Sequence, residues 1–191
     1  MGKILELKQA LGPGARANKY RLHFNIPNAV PKTADIQTFD TLAIASSFPS
    51  KSIGMIETFN QGRKLVLPGD TAFPNTWTVE FYNTEEHNLR RAILEWMRSI
   101  DHFQDNMHSG MPIEVMTNMA VSQLDSAMNE TVRYTFHGVF PQDIAEVSLG
   151  DDQQDTITRT TVTFAYTDFV VGDSDLDKPL QYNTRTGNFI A

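Results

Sequence analysis

The sequence predicts a mainly β fold, an antiparallel sandwich or barrel with one helix on its flank. Two observations carry this. Several segments alternate apolar and polar residues with period two, as half-buried strands do. One stretch alone, 85–103, has the 3.6-residue period of an amphipathic helix. The order is strands, helix, strands, with Pro and Gly at the joints.

Taken in order, residues 1–17 mix a short apolar start with Gly12-Pro13-Gly14 and read as an N-terminal arm. The β-domain is expected over 18–171, with a polar, turn-rich C-terminal extension over 172–191. Tyr20, Leu22, Phe24 and Ile26 alternate with Arg21, His23 and Asn25, a strand stopped by Pro27. Residues 28–38 read as a loop and 40–48 as a second strand. Segment 52–67 reads as a long hairpin with arms 53–59 and 63–67 around Asn60-Gln61-Gly62, where the glycine accepts positive φ without strain. Each face of this hairpin carries few apolar residues, so it needs an outside partner.

Trp77, Val79 and Phe81 alternate with Thr76, Thr78, Glu80 and Tyr82 in the next strand. Asn83, followed three residues later by Glu86, has the spacing of a capping box. Glu85 and Glu86 suit the positive end of the helix dipole. Leu89, Ile93, Trp96, Ile100 and Phe103 then form one apolar stripe, and Glu86 stands four residues before Arg90 as an ion pair would. Beyond a polar loop at 105–112, a second hairpin is expected from 115–124 and 131–140, with Val132, Tyr134 and Phe136 on one face. Pro141 should stop it, leaving a short helical turn at 142–147. Segment 156–171 reads as one long strand, with Thr158, Thr160, Val162, Phe164 and Tyr166 on one face and Arg159, Thr161, Thr163 and Thr167 on the other. The predicted core is Trp77, Val79, Phe81, Leu89, Ile93, Trp96, Phe136, Phe140 and Phe164.

With 191 residues, one domain with extensions buries roughly 70% of its unfolded surface and needs no staples. Cysteine is absent, which removes disulfides and thiolate metal sites. The start Met1-Gly2-Lys3-Ile4-Leu5-Glu6 has no apolar run of signal-peptide length, and no stretch approaches the ~18 apolar residues of a spanning helix. A formal charge of -7 argues against tight binding of phosphate backbones. Nine acids and one base, Arg159, fall between Asp143 and Asp177, a solvated acidic face on the simplest reading.

No catalytic motif occurs. His102, Asp105 and His108 follow the helix but match no common zinc spacing, and Asp151, Asp152 and Asp155 lack the Gly and Glu of a calcium loop. All six read as polar loop residues. His137 reads as a hydrogen-bonded or surface histidine, and Trp77 and Trp96 as core anchors. No enzyme activity, cofactor or metal is expected.

Two blocks go further than composition. The run Leu67-Pro68-Gly69-Asp70-Thr71-Ala72-Phe73, then Trp77-Thr78-Val79 and Asn83-Thr84-Glu85-Glu86-His87 opening a helix that ends near Trp96, resembles the tail tube proteins of T4-type contractile phages. Gly138-Val139-Phe140-Pro141-Gln142-Asp143-Ile144 is similar to that family's segment before its last long strand. Weaker matches are Ala17-Asn18-Lys19-Tyr20 and Phe59-Asn60-Gln61-Gly62-Arg63-Lys64. The blocks come in the family's order over about 15–170; both ends depart from it.

The resemblance implies two packed β-sheets with one flanking helix. Six copies would close into a ring whose inner strands join one barrel, and rings would stack into a hollow tube inside a sheath. Implied partners are further copies of the chain, a sheath protein, and baseplate and tail terminator proteins. DNA would pass through without specific binding, and no membrane insertion is implied. The implied location is the virion tail tube, assembled in the host cytoplasm. A tube subunit of a protein-injecting or type VI-like system, or a baseplate ring initiating the tube, shares the fold. Within this frame Glu57, Phe59, Asn60, Arg63 and Lys64 are candidate assembly residues. The basic tip is expected to meet Asp151, Asp152 or Asp155 of a neighbouring copy, and the lumen is expected to be polar and net negative.

Overall fold

The computed structural model describes residues 2–12, 14–28, 30, 36–72, 74–102, 107–108, 112–150, 156–172, 181–183 and 188–190. The elements in chain order are α1 (Gly2–Leu11), β1 (Tyr20–His23), α2 (Ile36–Leu42), β2 (Ala43–Ser46), β3 (Ser52–Asn60), β4 (Arg63–Ala72), β5 (Thr76–Tyr82) and α3 (Asn88–Ile100). They continue with β6 (Asp101–His102), β7 (Met107–His108), α4 (Pro112–Val115), β8 (Thr117–Leu124), β9 (Glu130–Ile144), β10 (Arg159–Ala165), β11 (Asp168–Val171), β12 (Gln181–Asn183) and β13 (Asn188–Ile190). The mainly β class with a flanking helix stands as the sequence predicts.

Seven antiparallel strands follow the path β1-β8-β9-β10-β5-β2, with β11 also on β9. The 15-residue β9 belongs to two sheets. Its first part pairs with β8 and β11, and its last part, from Phe140 to Ile144, pairs with β10. The sheets face each other across the core. Phe136 of one stacks on Trp77 of the other at 4.5 Å. Phe24 meets Phe39, Phe81, Trp96 and Phe164 edge-on at 5.4–6.5 Å. Helix α3 closes the core with Leu89, Ala92, Ile93 and Trp96. Of the predicted core, Phe140 alone is only partly buried.

Local expectations yield where tertiary contacts outbid them. Residues 40–42 are helical, not strand, because α2 brings Phe39 onto Phe24 and lets Asp40 Oδ1 accept the Phe24 amide at 2.8 Å. Burial holds the Asp40 carboxyl above its ordinary pKa, against the opposing pull of that amide and of His23 and Arg21. Asn83 does not cap α3. It is buried, its Nδ2 donates to Thr158 Oγ1 at 3.2 Å, and its Oδ1 accepts from Thr160 Oγ1 at 2.7 Å. The helix therefore starts at Asn88, after His87 in the left-handed conformation at φ 51°. Arg90 Nη1 donates to the Ala145 carbonyl at 2.9 Å, so the expected partner Glu86 instead accepts from Asn88 Nδ2. Phe103 lies outside the described residues.

Nor does Pro141 stop β9, which runs on to Ile144; residues 145–147 are irregular, so the helical turn expected at 142–147 does not form. Strand β8 begins at Thr117, opposite Val139, so beyond that point β9 is paired only by β10 among the described residues, and proline is tolerated on such an edge. Val115, expected to open a strand, instead ends α4, and β8 starts at Thr117. The long strand expected over 156–171 is two strands, because the chain steps from one sheet to the other at Tyr166 and Thr167. The Thr167 amide donates to the His137 carbonyl at 2.9 Å. Opposite this step Gly138 takes φ +64°, where an added Cβ would stand 2.5 Å from Thr167 Oγ1. Gly138→Ala should therefore destabilise the monomer by about 1–3 kcal/mol, read as a lower denaturant midpoint at unchanged m.

Candidate assembly surfaces

Strands β3 and β4 form a separate two-stranded ribbon. The turn is Gln61-Gly62, with φ 49° and 77°, the pair of left-handed conformations of a two-residue hairpin loop. The second arm is longer than the sequence suggested and runs through Pro68-Gly69-Asp70 to Ala72. Apart from Gly69, every ribbon residue is exposed. Ile53, Met55, Ile56, Phe59, Leu65, Val66 and Leu67 are all large, apolar and uncovered, with Phe59 at 71%. The sequence reading underestimated this apolar content. Period two was hidden by the register shift between Ile53 and Met55 and by apolar residues on both faces.

The predicted assembly residues Glu57, Phe59, Asn60, Arg63 and Lys64 gather at the outer half of the ribbon. Phe59 stands opposite Lys64, and Asn60 opposite Arg63. Lys64 pairs with Glu57 within the ribbon itself. Asp151, Asp152 and Asp155, its expected partners on another copy, lie outside the described residues, as does Asp105. The side chains of His102 and His108 are likewise not described. Among the described residues no group of three His, Cys, Asp or Glu is placed to hold a metal ion.

Helix α1 was not legible as a helix. Ile4, Leu5, Leu7 and Leu11 are 60–66% exposed on it. Near its root a shallow groove of about 260 Å³ is lined by Ala17, Tyr20, Ser47, Phe48, Val121 and Gln123, among others. That is below the ~300 Å³ at which small-molecule sites usually begin.

The outward face of the β2-β5-β10 sheet is hydroxyl-rich. Thr78 Oγ1 and Thr163 Oγ1 lie 3.4 Å apart, next to Thr76 and Thr161. Its one arginine, Arg159, reaches Glu80 at 3.4 Å and lies over the Tyr82 ring. His137 is buried.

The phage tail tube protein family model matches residues 15–172. The chain belongs to that family. The tail tube protein of Serratia phage KSP90 is 24% identical over 169 residues, covering 87% of this chain and 95% of that protein. Tail tube protein gp19 of Enterobacteria phage T4 is 29% identical over 131 residues, covering 68% and 79%. Among solved structures, the sheath-tube complex of an extracellular contractile injection system in its extended state gives a TM-score of 0.55 at 14% identity, covering 88% of this chain and 97% of that one. The tube-terminating cap of the anti-feeding prophage gives 0.58 at 13%, covering 84% and 91%. These likenesses show the shared fold. This tail tube family chain is accordingly a structural tube subunit.

Proposed function

We propose that the chain forms the inner tube of a contractile phage tail, closing as hexameric rings that stack into a conduit for DNA. The observation that carries this is the ribbon of β3 and β4, which exposes seven large apolar side chains that a monomer cannot cover. Family membership sets the direction, and the nearness of phage tail tube proteins in sequence favours a phage tail over a protein-injecting machine. The tip residues Phe59, Asn60, Arg63 and Lys64, with the Glu57 ion pair, seat on the body of a neighbouring copy. A sheath protein surrounds the tube, with baseplate and terminator proteins at its ends, and the tube is assembled in the host cytoplasm. Residues 1–17 and 172–191 act as extensions around the 18–171 domain.

We assign the threonine face of β5 and β10 to the lumen. Its hydroxyls hydrogen-bond water, and Arg159 is already matched by Glu80, so the wall offers few free cations to hold phosphates. Repulsion from acids such as Asp143 is screened over about 8 Å at physiological salt. Electron microscopy of the purified protein should show hollow rings or tubes. A species that stays monomeric at high concentration overturns the assembly reading, and a reconstruction with Thr78 and Thr163 facing outward overturns the lumen assignment.

A further inference from the structure

We propose that helix α1 of one copy lies across one face of the β3-β4 ribbon of a neighbouring copy. This rests on the assembly reading above and adds a donor and an acceptor to it. In an antiparallel pair, residues directly opposite each other share a face. Ile56 with Leu67 and Thr58 with Leu65 therefore lie on one face, with Asn60 and Arg63 at the tip. Met55 with Pro68, Glu57 with Val66, and Phe59 with Lys64 lie on the other. Both faces are apolar along the stem, so one flat neighbour cannot cover the ribbon. If the Phe59 face meets the body of one copy, the Ile56, Leu65 and Leu67 face still needs a second cover.

A two-stranded ribbon gains independent stability from another strand or from a helix packed on it. The chain carries a helix with the converse need. Ile4, Leu7 and Leu11 follow i, i+3, i+7 spacing and make one stripe, bordered by Lys3 and Lys8. All three are more than 60% exposed. At 10 residues α1 falls below the ~12–15 at which an isolated helix holds in water. It is about 15 Å long, and a strand of nine residues spans about 30 Å, so the helix fits along the ribbon. The groove near residue 17 is the alternative seat, but it is small and sits beside the root of α1.

Within one copy the two surfaces do not cover each other, since both are exposed. Every copy carries both halves of the match, so the contact is head-to-tail and repeats along an assembly. A second copy of the chain is therefore the occupant. Gly12 and Gly14, both at positive φ between α1 and the body, bear on the direction in which the arm leaves it.

The absence of cysteine gives a clean test. Lys8→Cys and Thr58→Cys flank the contact without removing its apolar residues. The two single variants are mixed, assembled, and treated with a short bis-maleimide. Covalent dimers are expected from the mixture, and a ladder of multimers from the double variant. Tubes that form without dimers overturn the proposal while leaving assembly intact, as does a double variant that links only within one chain. Linkage of Lys8→Cys to Gln123→Cys instead of Thr58→Cys also overturns it, in favour of the groove. Absence of tubes from the unmodified chain counts against the assembly reading itself, and the arm contact falls with it. Deleting residues 2–11 should raise the critical concentration by about tenfold or more, as expected for losing several buried aliphatic side chains per contact. An unchanged critical concentration overturns the proposal independently of the cross-links.

Discussion

Deleting residues 57–64 is expected to leave a folded monomer that forms no tubes. The monomer survives because, among the described residues, β3 and β4 pair only with each other and no residue of the ribbon belongs to the buried core. The deletion removes Phe59, the Glu57–Lys64 ion pair and the Gln61-Gly62 turn together. Leu65-Val66 then becomes the loop between Ile56 and Leu67, so Asn-Gly in their place supplies the two-residue turn that the shortened hairpin needs. Circular dichroism and the thermal midpoint of the monomer should change little, as for surface changes that touch no core contact. Light scattering and microscopy should show assembly abolished, not slowed, because each lost side chain is repeated at every copy. Normal tubes from the shortened chain would remove the ribbon from the interface and with it the main support for the assembly surfaces.

Much of the fold was legible because period and burial agree. Trp77, Val79 and Phe81 alternate in sequence and are all buried in the structure, and so are Val162 and Phe164. The stripe Leu89, Ile93, Trp96 made α3 legible for the same reason. Misreadings fall where a side chain with a strong local preference found a distant partner. Asn83 has the signature of a cap, yet Thr158 and Thr160 claim both ends of its amide, and those partners are more than seventy residues away. The break at Tyr166-Thr167 left only a short mark, because Val162, Phe164 and Tyr166 alternate and the pattern fails only at Asp168, and the division between sheets follows from which part of β9 each strand pairs with. Of the candidate surface, the outer half of the ribbon was found from its turn and its basic residues. The apolar content of the stem was underestimated and α1 was not read as a helix, because exposed apolar residues look like core until the fold shows what lies beside them. Leu65 and Leu11 carry no mark in the sequence that separates them from Leu22.

Trp96→Ala should be the most damaging single substitution, at about 3–5 kcal/mol. Trp96 is fully buried on the inner face of α3, with Phe24 at 6.5 Å and Phe164 at 6.3 Å. Its Nε1 donates to the Val115 carbonyl at 2.7 Å, which ties α3 to the end of α4. Alanine leaves a cavity between the helix and both sheets and strips that carbonyl of its indole donor. A domain of this size typically has 5–15 kcal/mol in total, so the loss takes about a fifth of it or more. The monomer midpoint should fall by about 6–20 °C, at 2–4 °C per kcal/mol. Trp96→Phe separates the two contributions: it keeps most of the volume, loses the donor, and should cost less. Assembly supplies a further contrast. Packing into a tube stabilises the folded state by mass action, so the assembled variant should melt closer to the parent than the monomers do. A near-neutral monomer would mean that Trp96 is exposed and α3 faces a partner, whereas a large loss that assembly partly restores fixes α3 as part of the subunit's own core.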